Sequence, residues 1–191
     1  MSVLRCFDAL HTQLGTTEIA HMTKLPQPTV WRLCYTLQQL GYLVQAPDSD
    51  KFSYKMRWLD ALRAWVAQEL AAHPQLVLMG DFNIAPEDRD VYDPVAWAGQ
   101  IHCTPEERAH FQALCGLGLV DAFRLFDQPP RIWSWWDYRN LAFRKNQGLR
   151  IDHILVSQAL QPRVTACTVD KLPRKNERPS DHAPVLATLA D

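Results

Sequence analysis

Five apolar runs constrain this chain more than anything else in it. They are QLVLM (75–79), IWSWWDY (132–138), LRIDHILVS (149–157), RVTACTVD (163–170) and APVLATL (183–189). Each is short, rich in β-branched or aromatic residues, and reads as a strand. Two helical stretches are interleaved with them. Lys55 to Ala72 carries Trp58, Leu59, Leu62, Trp65, Val66 and Leu70 on one side, and TPEERAHFQALCGLG opens with the capping box Thr104, Pro105, Glu107. Buried strands alternating with helices can hide their apolar faces only by stacking in layers, so the second half predicts an α/β or α+β layered domain.

The first fifty residues obey a different period. Val3, Leu4, Phe7, Leu10 and Leu14 are spaced for one helix face, and Gly15 stops it. Thr16 or Thr17 caps TTEIAHMT, and LPQP makes a turn. A third helix runs from about Pro28 to Leu40, with Val30, Leu33, Leu37 and Leu40 on one stripe and Gly41 after it. YLVQAPDSDKFSY then reads strand, turn, strand. TTEIAHMTKLPQPTVWRLCYTLQQLGYL and the wing PDSDKFSY resemble the winged helix-turn-helix of IclR-type transcriptional regulators. That resemblance covers residues 3–53. It implies a third helix in the major groove, with Gln27, Thr29, Trp31 and Arg32 as DNA contacts and Lys51 near a phosphate. A plain helical bundle is the alternative. Four bases (Arg5, Lys24, Arg32, Lys51) against four acids (Asp8, Glu18, Asp48, Asp50) give only a weak electrostatic footprint for DNA.

Chemistry-bearing residues crowd the second half. GDFN (80–83) follows the strand LVLM, so Asp81 stands at a strand's C-terminal end, a common place for a catalytic acid or base. Asn83 shares its face if the chain stays extended. LRID puts Asp152 in an apolar strand, where a carboxylate needs a partner. His182 is the candidate, with His153 facing away. PSDHAPV (179–185) fences Asp181 and His182 between prolines. SWWDYR (134–139) reads either as core packing or as a wall for an unstacked base or sugar. KLPRKNER (171–178) is either a phosphate-tracking stretch or a solvated loop.

GDFN, SWWDYR, GLRIDH and PSDHAPV, in this order and together with IAPEDRDVYDP and AFRKNQGLRIDHIL, resemble the exodeoxyribonuclease III branch of the endonuclease/exonuclease/phosphatase superfamily. The resemblance covers about Tyr54 to Leu189. It implies metal-dependent hydrolysis of DNA phosphodiesters, including incision at abasic sites, with double-stranded DNA as the partner. Asp81 would position or deprotonate the attacking water, and Asn83 would hold the scissile phosphate. His182, oriented by Asp152, would stabilise charge on a phosphate oxygen. Asp181 would sit by the cation, Mg²⁺ with Mn²⁺ as the alternative. Trp135, or less favourably Trp136, would line the pocket for the abasic sugar, and Arg139 completes the substrate-binding set.

The same resemblance implies a sandwich of two similar halves, of which this chain matches the later one. The family's early Asn, its metal-holding Glu and its mid-fold Tyr have no counterpart, because Glu18, Glu69 and Tyr54 lack their contexts. The expected architecture is therefore a winged helix over 1–53 and a partial sandwich over 54–191, the two joined in the shared letters FSY. Activity is expected to be weak or lost, and open sheet edges invite self-association. The alternatives are a regulator fragment and an inactive fusion. Lys plus Arg at 20 against Asp plus Glu at 21 gives no bulk pull toward nucleic acid. Five scattered cysteines without CxxC argue against zinc and disulfides and for a reducing, cytoplasmic setting. No signal peptide or membrane span is expected.

Overall fold

A computed structural model describes residues 3–7, 11, 13–39, 42–45, 50–54 and 56–190. The chain divides into two compact units, Met1–Leu62 and Arg63–Asp191.

In the first unit a 3₁₀ turn, Val3–Cys6, precedes strand β1 (Gln13–Gly15) and helices α1 (Thr16–Thr23) and α2 (Gln27–Gln39). Strands β2 (Leu43–Gln45) and β3 (Lys51–Tyr54) follow. The sheet order is β1-β3-β2, antiparallel throughout. Helix α1 starts where the Glu18 carboxylate accepts from the Gly15 amide at 2.7 Å. It ends at Lys24, whose left-handed φ of 60° turns the chain. Pro28 falls in the first turn of α2, where its missing N–H costs nothing.

The expected helix through Leu14 is not what forms. Leu14 instead lies in β1 opposite Phe52, because the second edge of β3 needs a ladder partner and both side chains then enter one core. That core comprises Val3, Cys6, Leu14, Ile19, Val30, Cys34, Leu43 and Phe52. Leu10 and Leu40 lie outside the described residues.

Helix α3 (Met56–Ala72) is where its pattern put it, but its stripe is narrower. Leu59 and Val66, seven apart, are buried, whereas Trp58 and Trp65 are half exposed. One residue's offset rotates the two indoles about 100° away from the buried line.

In the second unit strand β4 (Val77–Asp81) leads through the one-turn helix α4 (Pro94–Trp97) to α5 (Pro105–Cys115) and β5 (Leu119–Asp121). A short α6 (Ala142–Lys145) precedes β6 (Asp152–Ser157), β7 (Val164–Val169) and β8 (Val185–Leu189). One layer is β4-β6-β5 and the other is the β7–β8 pair, all antiparallel. Side chains of β6 alternate. Ile154 and Val156 face the β7–β8 layer and join Phe123, Leu160, Val164 and Cys167 in one core. His153 faces the other way, against Phe111 of α5 at 4.6 Å between ring centroids. The cap expected for α5 is present: Thr104 Oγ1 accepts from the Glu107 amide at 3.2 Å, and the Glu107 carboxylate accepts from the Thr104 amide at 3.2 Å.

SWWDYR forms no strand among the described residues. Its backbone makes isolated bridges, Trp135 to Leu149 on one side and Trp135 to His182 on the other. It is a connecting staple, which explains its aromatic, strand-like composition. Most of KLPRKNER is exposed, as a solvated loop would be, with one residue turned inward. Arg174 is buried with its guanidinium over the rings of Phe143, Tyr138 and Trp136 at 4.8, 5.7 and 5.8 Å, so the segment is pinned to the core by cation–π contacts. All five cysteines are free thiols. Among the described residues no helix is long and apolar enough to cross a membrane.

Candidate active site

Asp81 closes β4 and Asp152 opens β6, and the antiparallel register sets them directly opposite one another. His182 arrives from the loop before β8, so that ligand atoms of Asp81, Asp152 and His182 all lie within 4.8 Å of each other. Ser134 fixes the floor. Its hydroxyl accepts from the amides of Ile151 and Asp152, both at 3.0 Å, and its carbonyl accepts from the Ala183 amide at 2.7 Å. One residue thus ties together the two segments that carry Asp152 and His182.

His182 Nδ1 donates to Asp152 Oδ2 at 2.9 Å. Burial works against a charged ring there, but the Asp152 hydrogen bond and charge, with Asp81 and Asp181 nearby, outweigh it and lift the His182 pKa above the ordinary 6.5. The ring is held in the tautomer that leaves Nε2 available, and it takes up a proton more readily than a free imidazole.

Asn83 does not reach the site by extended backbone. Its φ is 53°, a left-handed turn that asparagine tolerates, and the turn folds the amide back on Asp81. The Asn83 amide N–H donates to Asp81 Oδ1 at 2.8 Å, and its side-chain Nδ2 donates to Oδ2 at 3.0 Å. Behind this turn the backbone is clamped twice. Buried His102 donates from Nδ1 to the Asn83 carbonyl at 2.9 Å, and His153 donates from Nε2 to the Ile84 carbonyl at 2.8 Å.

His153 in turn accepts from Arg150 Nη1 at 2.9 Å. Arg150 is 2% exposed and pairs with Asp90 at 2.6 Å and Asp121 at 2.8 Å, while Asp90 also takes Arg124. Burial, then the Arg150 charge, hold the His153 pKa well below 6.5. His153 faces away from Asp152 as expected, but its clamping role, and the roles of Ser134, His102 and Arg150, escaped the reading of the sequence.

Asp181 is half-buried and its Oδ2 accepts from Trp135 Nε1 at 3.0 Å, so it stands outside the three-residue convergence. Trp135 is half-buried. Trp136 is fully buried, with Nε1 on Asn146 Oδ1 at 3.3 Å and its ring edge-on to Phe143, which is the core-packing reading of SWWDYR. Arg139 is exposed and engaged with Asp137 at 2.6 Å. In the first unit Gln27, Trp31 and Arg32 are exposed and Thr29 is half-buried. Gln27 Nε2 donates to Thr17 Oγ1 at 2.8 Å, and Lys51 is 3.9 Å from Glu18.

A profile of the Endonuclease/Exonuclease/phosphatase family matches residues 9–182. The chain belongs to that family. It is 39% identical over 157 residues to exodeoxyribonuclease III of Haemophilus influenzae, a match taking in 77% of this chain and 59% of that one. Its fold is similar to the 3′ phosphatase NExo from Neisseria bound to product DNA hairpin (TM-score 0.71, 44% identity, 79% of this chain and 58% of that one). It is also similar to an AP endonuclease from Archaeoglobus fulgidus (TM-score 0.68, 31% identity, 78% and 57%). The chain spans somewhat over half the length of the relatives it matches.

Proposed function

We propose that the second unit carries the chemistry of a DNA phosphodiester hydrolase of exodeoxyribonuclease III and abasic-site endonuclease type. The observation that carries this reading is the meeting of Asp81, Asp152 and His182 at the shared end of β4 and β6. Asp81 takes a proton from the attacking water. Asp152 fixes His182, whose Nε2–H faces outward to stabilise charge on a phosphate oxygen. Asn83 Nδ2, one of whose hydrogens is given to Asp81, offers its second to the scissile phosphate, and Trp135 borders the sugar pocket, Trp136 being too deeply buried for that role.

The donors present fit a hard divalent cation, Mg²⁺ or Mn²⁺, since carboxylate oxygens are what such ions take. Asp181 would hold it by resemblance, with the Asp81 and Asp152 carboxylates as further donors. When bound, the ion would neutralise charge on the phosphate and acidify the attacking water. The carboxylate that the resemblance expects beside the cation has a sequence context that neither Glu18 nor Glu69 shares. Activity of the chain by itself is therefore weak or lost.

The test is cleavage of a labelled duplex bearing one abasic site, with Mg²⁺ and with chelator, wild type beside Asp81→Asn. Cation-dependent cutting lost in the variant supports the reading. Cutting that survives Asp81→Asn refutes it.

A second reading concerns the first unit, with α2 as a DNA-reading helix behind a β2–β3 wing. What favours it is the outward placement of Arg32 and of Trp31, which stacks on Tyr35 at 5.5 Å on the solvent side of α2. Sequence-selective duplex binding lost in Arg32→Ala would support it, and equal binding by the variant would sink it.

A further inference from the structure

We propose that the cleft of the second unit between residues 89–92 and the loop 126–133 binds a phosphomonoester that carries a flat ring, the chemical class of a nucleoside monophosphate. The cleft holds about 420 Å³ and shares no lining residue with the Asp81, Asp152 and His182 cluster. That volume falls within the roughly 300–1,000 Å³ of small-molecule sites. Buried Phe123 and Trp133 line it together with half-buried Tyr92 and Phe126, so a flat apolar body has aromatic rings to pack on.

Charge selects the other end of the ligand. Arg89, Arg124 and Arg131 line the same space against a single carboxylate, Asp127. Glu87 and Asp90, which hold Arg89 and Arg124, do not line it. Each guanidinium has five N–H donors. Among the described residues Arg124 engages an acceptor through Nη2, on Asp90, while its buried Nε has no partner. Arg89 engages Glu87 through Nε, and the exposed Arg131 guanidinium is in no ion pair among the described residues. Three guanidiniums against one carboxylate leave the lining with two positive charges. A phosphomonoester, at about −1.5 to −2 near neutral pH, complements them, whereas a carboxylate meets only half of that charge.

The loop that presents Arg131 is held in place before any ligand arrives. Gln128 Nε2 donates to the carbonyls of Phe123 at 3.2 Å and Cys167 at 2.9 Å, and Pro129 and Pro130 stiffen the chain that follows. Arg131 itself has a φ of 62°, a left-handed backbone that is costly for a side chain of its size. Asn146 keeps it there. Its Nδ2 donates to the Arg131 carbonyl at 3.2 Å, and its own carbonyl accepts from Trp133 Nε1 at 3.0 Å. Strain that the surroundings maintain points to a residue whose position matters, and this one is a cation on a ring-lined cleft. The proposal does not draw on the nuclease reading.

The test is an NMR titration of the isotope-labelled chain in the presence of chelator, so that no cation draws phosphate to the acidic cluster. The probes are deoxyadenosine monophosphate, deoxyadenosine and inorganic phosphate, each alone. The expected result is saturable shifts of amides across 89–92 and 126–133, with the monophosphate at least about tenfold tighter than either part alone. Arg131→Gln should weaken it about tenfold or more, the loss of a charge-assisted hydrogen bond, and resonances outside the cleft report that the fold is kept. Lys175→Gln, which removes an exposed cation outside the cleft, should leave binding unchanged. No saturable shift at the cleft, or shifts centred on Asp81, Asp152 and His182 instead, would overturn the proposal. So would phosphate or nucleoside alone binding as tightly as the monophosphate, Arg131→Gln binding as well as wild type, or Lys175→Gln weakening it equally.

Discussion

Replacing Arg150 by methionine removes one charge from the most buried ionic cluster of the described residues while keeping much of its volume. The structure sets the size of the effect. Arg150 is 2% exposed and holds Asp90, Asp121 and the Nδ1 of His153, with its guanidinium 5.0 Å from the ring of Phe123. Asp90 retains Arg124 after the change, and Asp121 Oδ1 still accepts from the Phe123 amide at 3.1 Å. Asp121 Oδ2 loses its cation, and His153 loses a donor. Breaking a buried pair by removing one partner costs about 3–5 kcal/mol. Domain stability is typically about 5–15 kcal/mol, so Arg150→Met should lose about a fifth of it or more. For a unit of this size that is a fall in melting temperature of roughly 10–20 °C. Urea denaturation followed by far-UV circular dichroism measures it, and amide exchange of β6 locates it in the second unit. Arg150→Lys keeps a charge without the fork and should fall between the two. A loss below about 1 kcal/mol for Arg150→Met would refute the claim that these ion pairs secure the loop after β4.

Three further outcomes are expected. Asp152→Asn removes the acceptor that orients His182 and should lower any abasic-site cleavage by about 10²- to 10⁴-fold while leaving the fold intact by circular dichroism. Gly148→Ala would place its Cβ 2.5 Å from the Trp135 carbonyl oxygen and 2.6 Å from Trp136 Nε1, so it should cost about 1–3 kcal/mol in urea denaturation. His153 stays neutral in the folded state, whereas the unfolded chain takes up a proton below its ordinary 6.5, so stability should fall as pH drops through that value. The slope this one group adds approaches about 1.4 kcal/mol per pH unit, and wild type minus His153→Gln across pH 7.5 to 5.5 isolates it.

How much of this was legible depended on whether a signal was local. The strands β4, β6, β7 and β8 and helices α3 and α5 were readable because apolar periodicity and caps are carried by adjacent residues. The partnership of Asp152 with His182 was readable as well, since a carboxylate in an apolar run demands a counter-group. What stayed hidden lives in pairings between distant segments. Leu14 belongs to a strand only because Phe52 lies across from it. Asn83 meets Asp81 through a left-handed turn that no periodicity announces. Ser134 reads as a small polar residue in an aromatic run, yet it ties 151–152 to 183. Arg174 reads as one basic residue among several and is in fact buried against three rings.

The site itself violates a rule that the rest of the sheet obeys. Asp81 and Asp152 face each other across an antiparallel ladder, and like charges so placed destabilise a sheet by a few tenths to about 1 kcal/mol. The neighbouring pairs, Met79 with Ile154 and Val77 with Val156, are apolar and complementary. His182 offsets part of the repulsion, which is why its own affinity for a proton rises. One imidazolium against Asp81, Asp152 and the nearby Asp181 still leaves the site negative. A group that relieves this must be positive, compact and content with oxygen donors, which is the description of a divalent cation. On the proposed reading, relief of that repulsion would contribute to the binding of such an ion. The clamps from His102, His153 and Ser134 are what keep the two carboxylates from swinging apart to escape it.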